Sequence, residues 1–362
     1  MYHQLLFLVV AANPDILKLI MVNRIDLYKP MCAEYKARRA LAVDSQSEVL
    51  PAWIEGFHLG EGVFRLEHRE VAFPGIEIAH FFTENLFSDR HVIPEGETHF
   101  SLGLYPHHPL LSWMGYTDPI GNAIAVHRSQ IEYTSSLPPG WHGVYICFND
   151  ELLANLDLLP EKFWENSQDP NQAVLTVHPI RFANFTRFMQ QWFPTAECLY
   201  RRGLLTPQEA ALLREKFLCQ FRELLDHTFE QRGDRQIFKP SRRYWIFETV
   251  QAIIDNNLRQ NLTNEELCQQ LGISLRSLQY AFKEITGVGV QQYIRARKLN
   301  AVREELCGRS ANPSTIYAIA TAYGFSHMGR FSEQFHRYFG EYPSTLKKLH
   351  KSDIKMRKSM IS

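Results

Sequence analysis

Glu265-Glu266-Leu267-Cys268-Gln269-Gln270-Leu271-Gly272-Ile273-Ser274, running on through Leu275 to Ile285, is one half of a repeated pattern. The other half is Thr315-Ile316-Tyr317-Ala318-Ile319-Ala320-Thr321-Ala322-Tyr323-Gly324-Phe325, running on through Ser326 to Phe339. Each opens as a short helix with apolar residues at helical spacing, stops at a glycine, and resumes as a second helix. Glycine suits the left-handed conformation that ends a helix. Ser274 and Ser326 then stand where an N-cap is wanted. The pattern predicts two helix-turn-helix units in tandem, and so a module that docks on DNA. Gly272 and Gly324 are 52 residues apart, which leaves room for a connecting helix. Two such units can present recognition helices to successive major grooves, about 34–36 Å apart.

Working outward, Tyr244, Phe247, Val250, Ile253, Ile254 and Leu258 predict a helix packed under the first unit. Leu267, Leu271, Leu278 and Phe282 complete its core. Val290 to Leu306 is apolar at Tyr293, Ile294, Leu299, Val302 and Leu306 with basic residues between. As a helix rising about 1.5 Å per residue it runs about 25 Å, a fixed strut between the units. The second unit is expected to bury Ile316, Ile319, Ala320, Phe325, Phe331, Phe335 and Phe339. Gly340 ends its last helix and Pro343 blocks continuation.

Over Arg243–Leu349 the sequence strongly resembles the C-terminal domain of the AraC/XylS family of transcription regulators. The matches in register include Leu271-Gly272-Ile273-Ser274 with Arg276 and Leu278, Phe282-Lys283, Gly287, Tyr293, Arg297-Lys298-Leu299, Ala320, Gly324-Phe325, Phe331-Ser332, Phe335, Phe339-Gly340 and Pro343. Departures are Gly289-Val290 where Ser-Pro is usual, and Met328-Gly329 and Glu333 on the second recognition helix. The stretches Arg297 to Leu306 and Tyr323 to Phe331 look similar to the ethanolamine-operon regulators within that family. That likeness implies ethanolamine and adenosylcobalamin as effectors. The family resemblance implies DNA contacts from Arg276, Gln279, Tyr280 and Lys283 on the first recognition helix. On the second it implies Ser326, His327, Arg330 and Arg337. Arginine reads guanine O6/N7 and glutamine reads adenine N6/N7, each bidentately. Glu333 repels phosphate, so the second unit is expected to lean on phosphate contacts and DNA shape. Arg295 and Arg297 suit either phosphate or an internal ion pair.

Charge supports this division. The 362-residue chain is neutral overall, with 39 Lys+Arg and 39 Asp+Glu. From Arg242 onward there are 18 Lys+Arg against 10 Asp+Glu, a balance of +8, leaving −8 on the remainder. A basic module joined to an acidic one fits nucleic-acid binding confined to one end. Cys32, Cys147, Cys198, Cys219, Cys268 and Cys307 form no C-x-x-C pair, against zinc modules and disulfide scaffolds. They fit a reducing cytoplasm. No apolar run suggests a membrane span. Leu5 to Ala12 is apolar but lacks the basic flank of a signal peptide.

The expected organisation is an N-terminal extension over 1–30, a sensor domain over 31–232, a linker over 233–242, the DNA-binding domain over 243–349 and a basic tail over 350–362. The fold class is α+β. Partial alternation in Gly62–His68, Ile76–Phe81, Thr98–Leu104 and Val144–Phe148 predicts a small antiparallel barrel or sandwich, cupin-like, with flanking helices. Those helices are expected over Glu151–Leu159, Ile180–Trp192 and Pro207–Gln231, the last capped by Thr206 with Pro207 at its first position and Glu209 at its third. His80, His91, His99, His107, His108, His127 and His142 raise a second reading, a DNA-tethered cupin-like metal enzyme. No His-x-His pair with a downstream Glu and His supports it, and adjacent strand residues such as His107 and His108 point to opposite faces. No Walker loop, G-x-S-x-G or dinucleotide fingerprint is present. Glu132, Glu77 and Asp118 read as solvated charges. Trp53, Trp113, Trp141, Tyr105 and Tyr116 provide aromatic walls or core for an effector-responsive sensor. The expected partners are double-stranded DNA, RNA polymerase, a small-molecule effector and a second copy of the chain. A third reading has the N-terminal half bind a protein instead.

Overall fold

Val144-Tyr145-Ile146-Cys147-Phe148 shows little alternation because both faces of its strand are covered. In the computed structural model, which describes residues 34–40, 54–62, 65–104, 112–113, 122–129, 131–159, 172–226, 235–236, 241–307 and 315–347, this strand is the middle of a large sheet. The expectations for 1–30, for most of 233–242, for 350–362, and for Trp53, Tyr105, His107, His108, Tyr116 and Asp118 lie outside the described residues.

The large sheet has the order β1 (Glu34–Ala40), β3 (Leu66–Phe73), β4 (Ile76–Thr83), β10 (Trp141–Asn149), β6 (Glu97–Gly103), β8 (Ala123–Arg128), β11 (Gln172–Thr176) and β12 (Arg235–Gln236). A smaller sheet has the order β2 (Ile54–His58), β5 (Phe87–Val92), β9 (Glu132–Leu137) and β7 (Ser112–Trp113). Neighbouring strands with a described register run antiparallel, for example Ile146 opposite both Ile78 and Phe100. Of the expected barrel or sandwich, the sandwich is what forms: two open sheets face each other, and no barrel closes among the described residues. Gly143 permits close packing here. A Cβ on it would sit 1.7 Å from the indole of Trp141, which fills the interior against Phe81.

On its outer face the large sheet carries Val71, Ile78, Phe100, Leu102, Val144, Ile146 and Phe148. Two helices, α2 (Pro179–Arg201) and α3 (Pro207–Leu225), cover that face, preceded by the short α1 (Asp150–Asn155). Thr206 caps α3 by accepting from the Glu209 N–H, with Pro207 inside the first turn. The boundaries differ from expectation. The helix expected over Ile180–Trp192 continues through Pro194 to Arg201, and α1 and α3 end before Leu159 and Gln231. A proline inside a helix removes one hydrogen bond, and the burial of Met189, Trp192, Phe193 and Ala196 on both sides of it keeps α2 continuous. Phe221 centres the packing, with ring centroids 5.1 Å from Phe100, 5.7 Å from Phe148 and 5.8 Å from Phe217.

The sandwich interior is unusually polar. Asp89, His91, His99 and His127 are fully buried. His91 Nε2 lies 3.0 Å from Asp89, and the Ser135 hydroxyl donates to the same carboxylate. His91 and His127 both stack on Tyr133, at 4.5 and 4.3 Å. Burial holds the imidazole of His127 well below its usual pKa. Among the described residues no three His, Cys, Asp or Glu side chains are placed to hold a metal ion. Trp141 belongs to the core, and Glu132 is exposed and paired with Arg90 at 2.6 Å.

The far face of the small sheet packs on the C-terminal helices, which are α4 (Arg242–Asn256), α5 (Asn264–Leu271), α6 (Leu275–Thr286), α7 (Val290–Leu306), α8 (Ile316–Ala322) and α9 (Met328–Phe339). One apolar cluster runs from Phe87 and Tyr133 through Phe247, Phe282 and Tyr293 to Phe335. Every core position expected from the apolar spacing lies in or against this cluster. Polar contacts stitch the seam. Asn300 Nδ2 donates to the His58 carbonyl at 2.8 Å, the Tyr338 hydroxyl to the Leu59 carbonyl at 2.9 Å, and the Thr134 N–H to the Tyr244 hydroxyl at 3.4 Å.

Two outcomes follow from this packing. Phe221→Ala is expected to cost about 3–5 kcal/mol in a denaturant melt, as for other buried aromatic truncations; a loss near zero would detach α3 from the sheet. His58, fully buried in the seam between Tyr338 and Phe339, has its pKa lowered to about 4, chiefly by burial and with a contribution from Arg303. It is neutral in the fold and protonates more readily when unfolded. Its contribution is therefore intact above about 6.5, the ordinary value, and is lost as pH falls toward 4. Melting temperature against pH is expected to decline across that window, and less steeply in His58→Phe.

Candidate nucleic-acid interface

The first helix-turn-helix unit is built locally as its residues dictate. Thr263 and Glu266 form a reciprocal capping box at the start of α5, and Gly272 ends that helix in the left-handed region at φ 62°. Ser274 caps α6 by accepting from the Ser277 N–H at 3.1 Å. Leu278, Ala281, Phe282 and Ile285 bury one face of α6. Arg276, Gln279, Tyr280 and Lys283 stand exposed on the other and line one open groove of about 520 Å³. The Arg276 guanidinium rests 5.3 Å from the Tyr280 ring, and that of Arg243 rests 5.9 Å from it. Lys283 Nζ donates to the Gly287 carbonyl at 2.7 Å, so its ammonium sits at the C-terminal end of its own helix.

The second unit departs from expectation at its turn. The N-cap of α9 is His327, not Ser326, and its side chain makes no capping bond. Gly324 keeps the positive φ of 84° that the motif needs, one residue beyond the helix end at Tyr323. Phe331, Phe335, Tyr338 and Phe339 bury one face of α9. Ser326, His327, Arg330, Glu333 and Arg337 are exposed. His327, Arg330, Glu333 and Arg337 follow at three- and four-residue steps, which puts them along one side of the helix. The carbonyl of Arg337 accepts from the Gly62 N–H at 2.9 Å, so the last turn of α9 is held from the β domain.

Between the units, α7 is buried on nearly every side, and three of its basic residues, Arg297, Lys298 and Arg303, turn inward. Arg297 pairs with Asp255 at 2.7 Å and lies 3.4 Å over the Phe57 ring. Lys298 donates to the Gln260 carbonyl, and Arg303 pairs with Glu341 at 2.6 Å. Of the two arginines with open roles, Arg297 is thus an internal ion-pair partner and Arg295 is exposed. The sequence reading missed Asn264, Gln291 and Gln292, which complete the wall of the first groove. Gln291 Nε2 donates to Asn264 Oδ1 at 2.8 Å, joining the starts of α5 and α7. For Gln291 and Gln292 the signal was the polar pair directly after Gly289-Val290, at the turn where a recognition helix hands over to the strut.

A helix-turn-helix domain family matches residues 267–349. A segment of 117 residues is 39% identical to XylDLEGF operon transcriptional activator 2 of Pseudomonas putida, covering 32% of this chain and 74% of that one. A segment of 108 residues is 42% identical to the XylDLEGF operon transcriptional activator of the same organism, but covers only 34% of that longer protein and 30% of this one. The multiple antibiotic resistance protein MarA of Salmonella typhimurium is 33% identical over 102 residues, 27% of this chain and 78% of MarA. Among solved structures, the AraC-like transcriptional activator CuxR aligns over 74% of this chain and 94% of its own, at a TM-score of 0.39 and 16% identity.

The two exposed faces predict different losses. Arg276→Ala is expected to weaken operator binding by about 1–3 kcal/mol and to relax preference at one base pair. Arg330→Ala is expected to weaken binding evenly across operator variants. A base-substitution scan separates them, and a uniform loss for Arg276→Ala would make it a phosphate ligand only.

Proposed function

The chain belongs to the AraC/XylS family of DNA-binding transcription regulators, and from that premise we propose an effector-responsive activator that reads two successive major grooves with α6 and α9. It is a regulator and not an enzyme. The observation that carries the proposal is the pair of exposed polar helix faces held at the two ends of a buried strut. In this reading Arg276 and Gln279 contact base edges, and Tyr280 and Lys283 flank them. Ser326, His327, Arg330 and Arg337 serve phosphates and groove shape, with Glu333 limiting how closely that helix approaches the backbone. DNA binding belongs to residues 243–349 and sensing to 31–232, joined by 233–242.

The β domain is the sensor in this proposal. It binds a small metabolite between about residues 53 and 148, and the seam along β2 carries the effect to the DNA-binding helices. Ethanolamine and adenosylcobalamin enter the screen on the subgroup likeness alone. RNA polymerase is the partner an activator must reach from its operator, in the cytoplasm. A second copy of the chain is the partner through which it would span paired half-sites. Among the described residues no helix is long and apolar enough to cross a membrane.

Operator affinity is expected to fall steeply with salt, because each neutralised phosphate releases counterions. A ligand shifts the regulator only if it binds one DNA-binding state better than the other. Specific DNA must then change effector affinity by the same factor, about 5–150-fold for an ordinary coupling. Calorimetric titration of each effector found in a thermal-shift screen, with and without operator DNA, measures this. Equal affinities in the two titrations would remove the coupling and leave a constitutive DNA binder.

A further inference from the structure

The loop between α4 and α5 is bound to more than its own helix-turn-helix unit. It opens at Asn257, whose side chain donates to the Ile253 carbonyl at 2.8 Å, and closes at the Thr263 cap of α5. Leu258 and Leu262 pack against the core, while Arg259, Gln260 and Asn261 are exposed. Each of these three makes a polar contact outside the first unit. Lys298 of α7 donates to the Gln260 carbonyl at 2.9 Å and lies 3.5 Å from Asn261 Oδ1. Arg259 Nη2 donates to Glu305 Oε1, near the end of α7, at 2.6 Å.

That carboxylate has a second donor, and it comes from the other unit. The hydroxyl of Tyr323, the residue at which α8 ends, donates to the same Glu305 oxygen at 2.8 Å. The Arg259 guanidinium also lies 5.4 Å from the Tyr323 ring. One carboxylate thereby joins the first unit, the strut and the second unit. A fully exposed ion pair would hold little. Here Tyr323 is buried and only 20% of the Glu305 side chain is exposed. Burial, followed by the bond to Glu305, holds the Tyr323 hydroxyl above its ordinary pKa, so it stays protonated and donates. The next residue approaches the same loop. A Cβ on Gly324 would lie 2.8 Å from Asn261 Oδ1 and 3.5 Å from Lys298 Nζ. Gly324 therefore serves this approach as well as its positive φ. The polar links are also spread along α7. Gln291 meets Asn264 at its start, Arg297 meets Asp255 midway, and Glu305 meets Arg259 near its end. The first two tie the first unit to the strut, and the third continues into the second unit.

We infer that the Arg259–Glu305–Tyr323 brace fixes the second recognition helix relative to the first, and so sets how many base pairs separate the two subsites of the operator. Glu305 and Tyr323 are positioning residues in this inference and need not touch DNA. It rests on the reading of two grooves by α6 and α9, and it adds a spacing rule and the residues that enforce it. One base pair inserted between the subsites turns the second groove by about a tenth of a turn and moves it by about 3.4 Å. A braced pair of units can follow only by breaking the brace or by deforming the DNA, and either costs affinity. An unbraced pair follows by pivoting where α8 packs on α7.

The test uses the full-length protein and DNA that it selects from a library of random duplexes. Affinity for the selected operator is compared with that for duplexes carrying one base pair more or one fewer between the subsites, and for a duplex holding the first subsite alone. The wild type is expected to bind both altered spacings more weakly. Tyr323→Phe, and independently Glu305→Gln, are expected to shrink that loss about tenfold, the value of one hydrogen bond to a charged group. Tyr323→Phe is expected to bind the first subsite alone as the wild type does. Glu305→Gln removes a negative charge and strengthens binding to every duplex alike, so its readout is the ratio between spacings. The double variant is expected to be no more tolerant than Glu305→Gln, because the two residues act through one bond. Variants that keep the wild-type spacing ratio, or that weaken every duplex equally, overturn the inference. If the wild type selects two subsites but accepts every spacing, the inference fails and the two-groove reading stands. If it selects one subsite or none, both fail.

Discussion

Strand β2 has almost no solvent face, and the arrangement of the whole molecule depends on that. Phe57, His58 and Leu59 are buried between the β domain and the DNA-binding helices. The carbonyls of His58 and Leu59 are taken by Asn300 of α7 and Tyr338 of α9, and the Phe57 ring lies under Arg297. One short strand thereby touches the strut and the second recognition helix together. Backbone carbonyls in such a place must be paired, since leaving them buried and empty is costly. A shift of β2 therefore has to be answered by a shift of the helices that it binds.

The same burial decides where charge can act. The C-terminal region carries an excess of basic residues, yet Arg297, Lys298 and Arg303 spend theirs inside, on Asp255, the Gln260 carbonyl and Glu341. Breaking a buried pair strands an uncompensated charge, which is why these side chains hold the strut in place and do not reach for phosphate. Among the described residues, exposed cations remain on α6 and α9, with Arg295 between them, and also at Arg242 and Arg243 of α4 and at Arg259. On the other side of the molecule the helix-covered face of the large sheet runs from the Phe221 cluster to the Arg65–Glu67–Arg69 group. The polar end of that face is where the β domain departs from simple core packing.

How much of this was legible in advance differs by region. In the C-terminal part, apolar spacing named the core, Gly272 and Ser274 set the turn, and Val290 to Leu306 read as the strut it forms. The reasons are local: helical period, capping and turn chemistry act over a few residues. Ser326 failed as an N-cap because the turn after Gly324 runs one residue longer, which hydrophobic spacing does not reveal. In the N-terminal part alternation was only partial, because most strands are covered on both faces. The α2 helix ran on past Pro194 because burial of its flanking aromatics outweighed one lost hydrogen bond.

By itself the sequence determined the two helix-turn-helix units, the strut, the basic and acidic halves, and the residue types that face outward on the recognition helices. These follow from interactions between residues near one another in the chain. Only the tertiary structure decided that the sheets stay open, that Arg297 is an internal partner, and that β2 binds two separated helices. It alone brought Arg259, Glu305 and Tyr323 together. Such contacts join residues far apart in sequence. They depend on strand register and on which face each element buries, and no local pattern of residues encodes either.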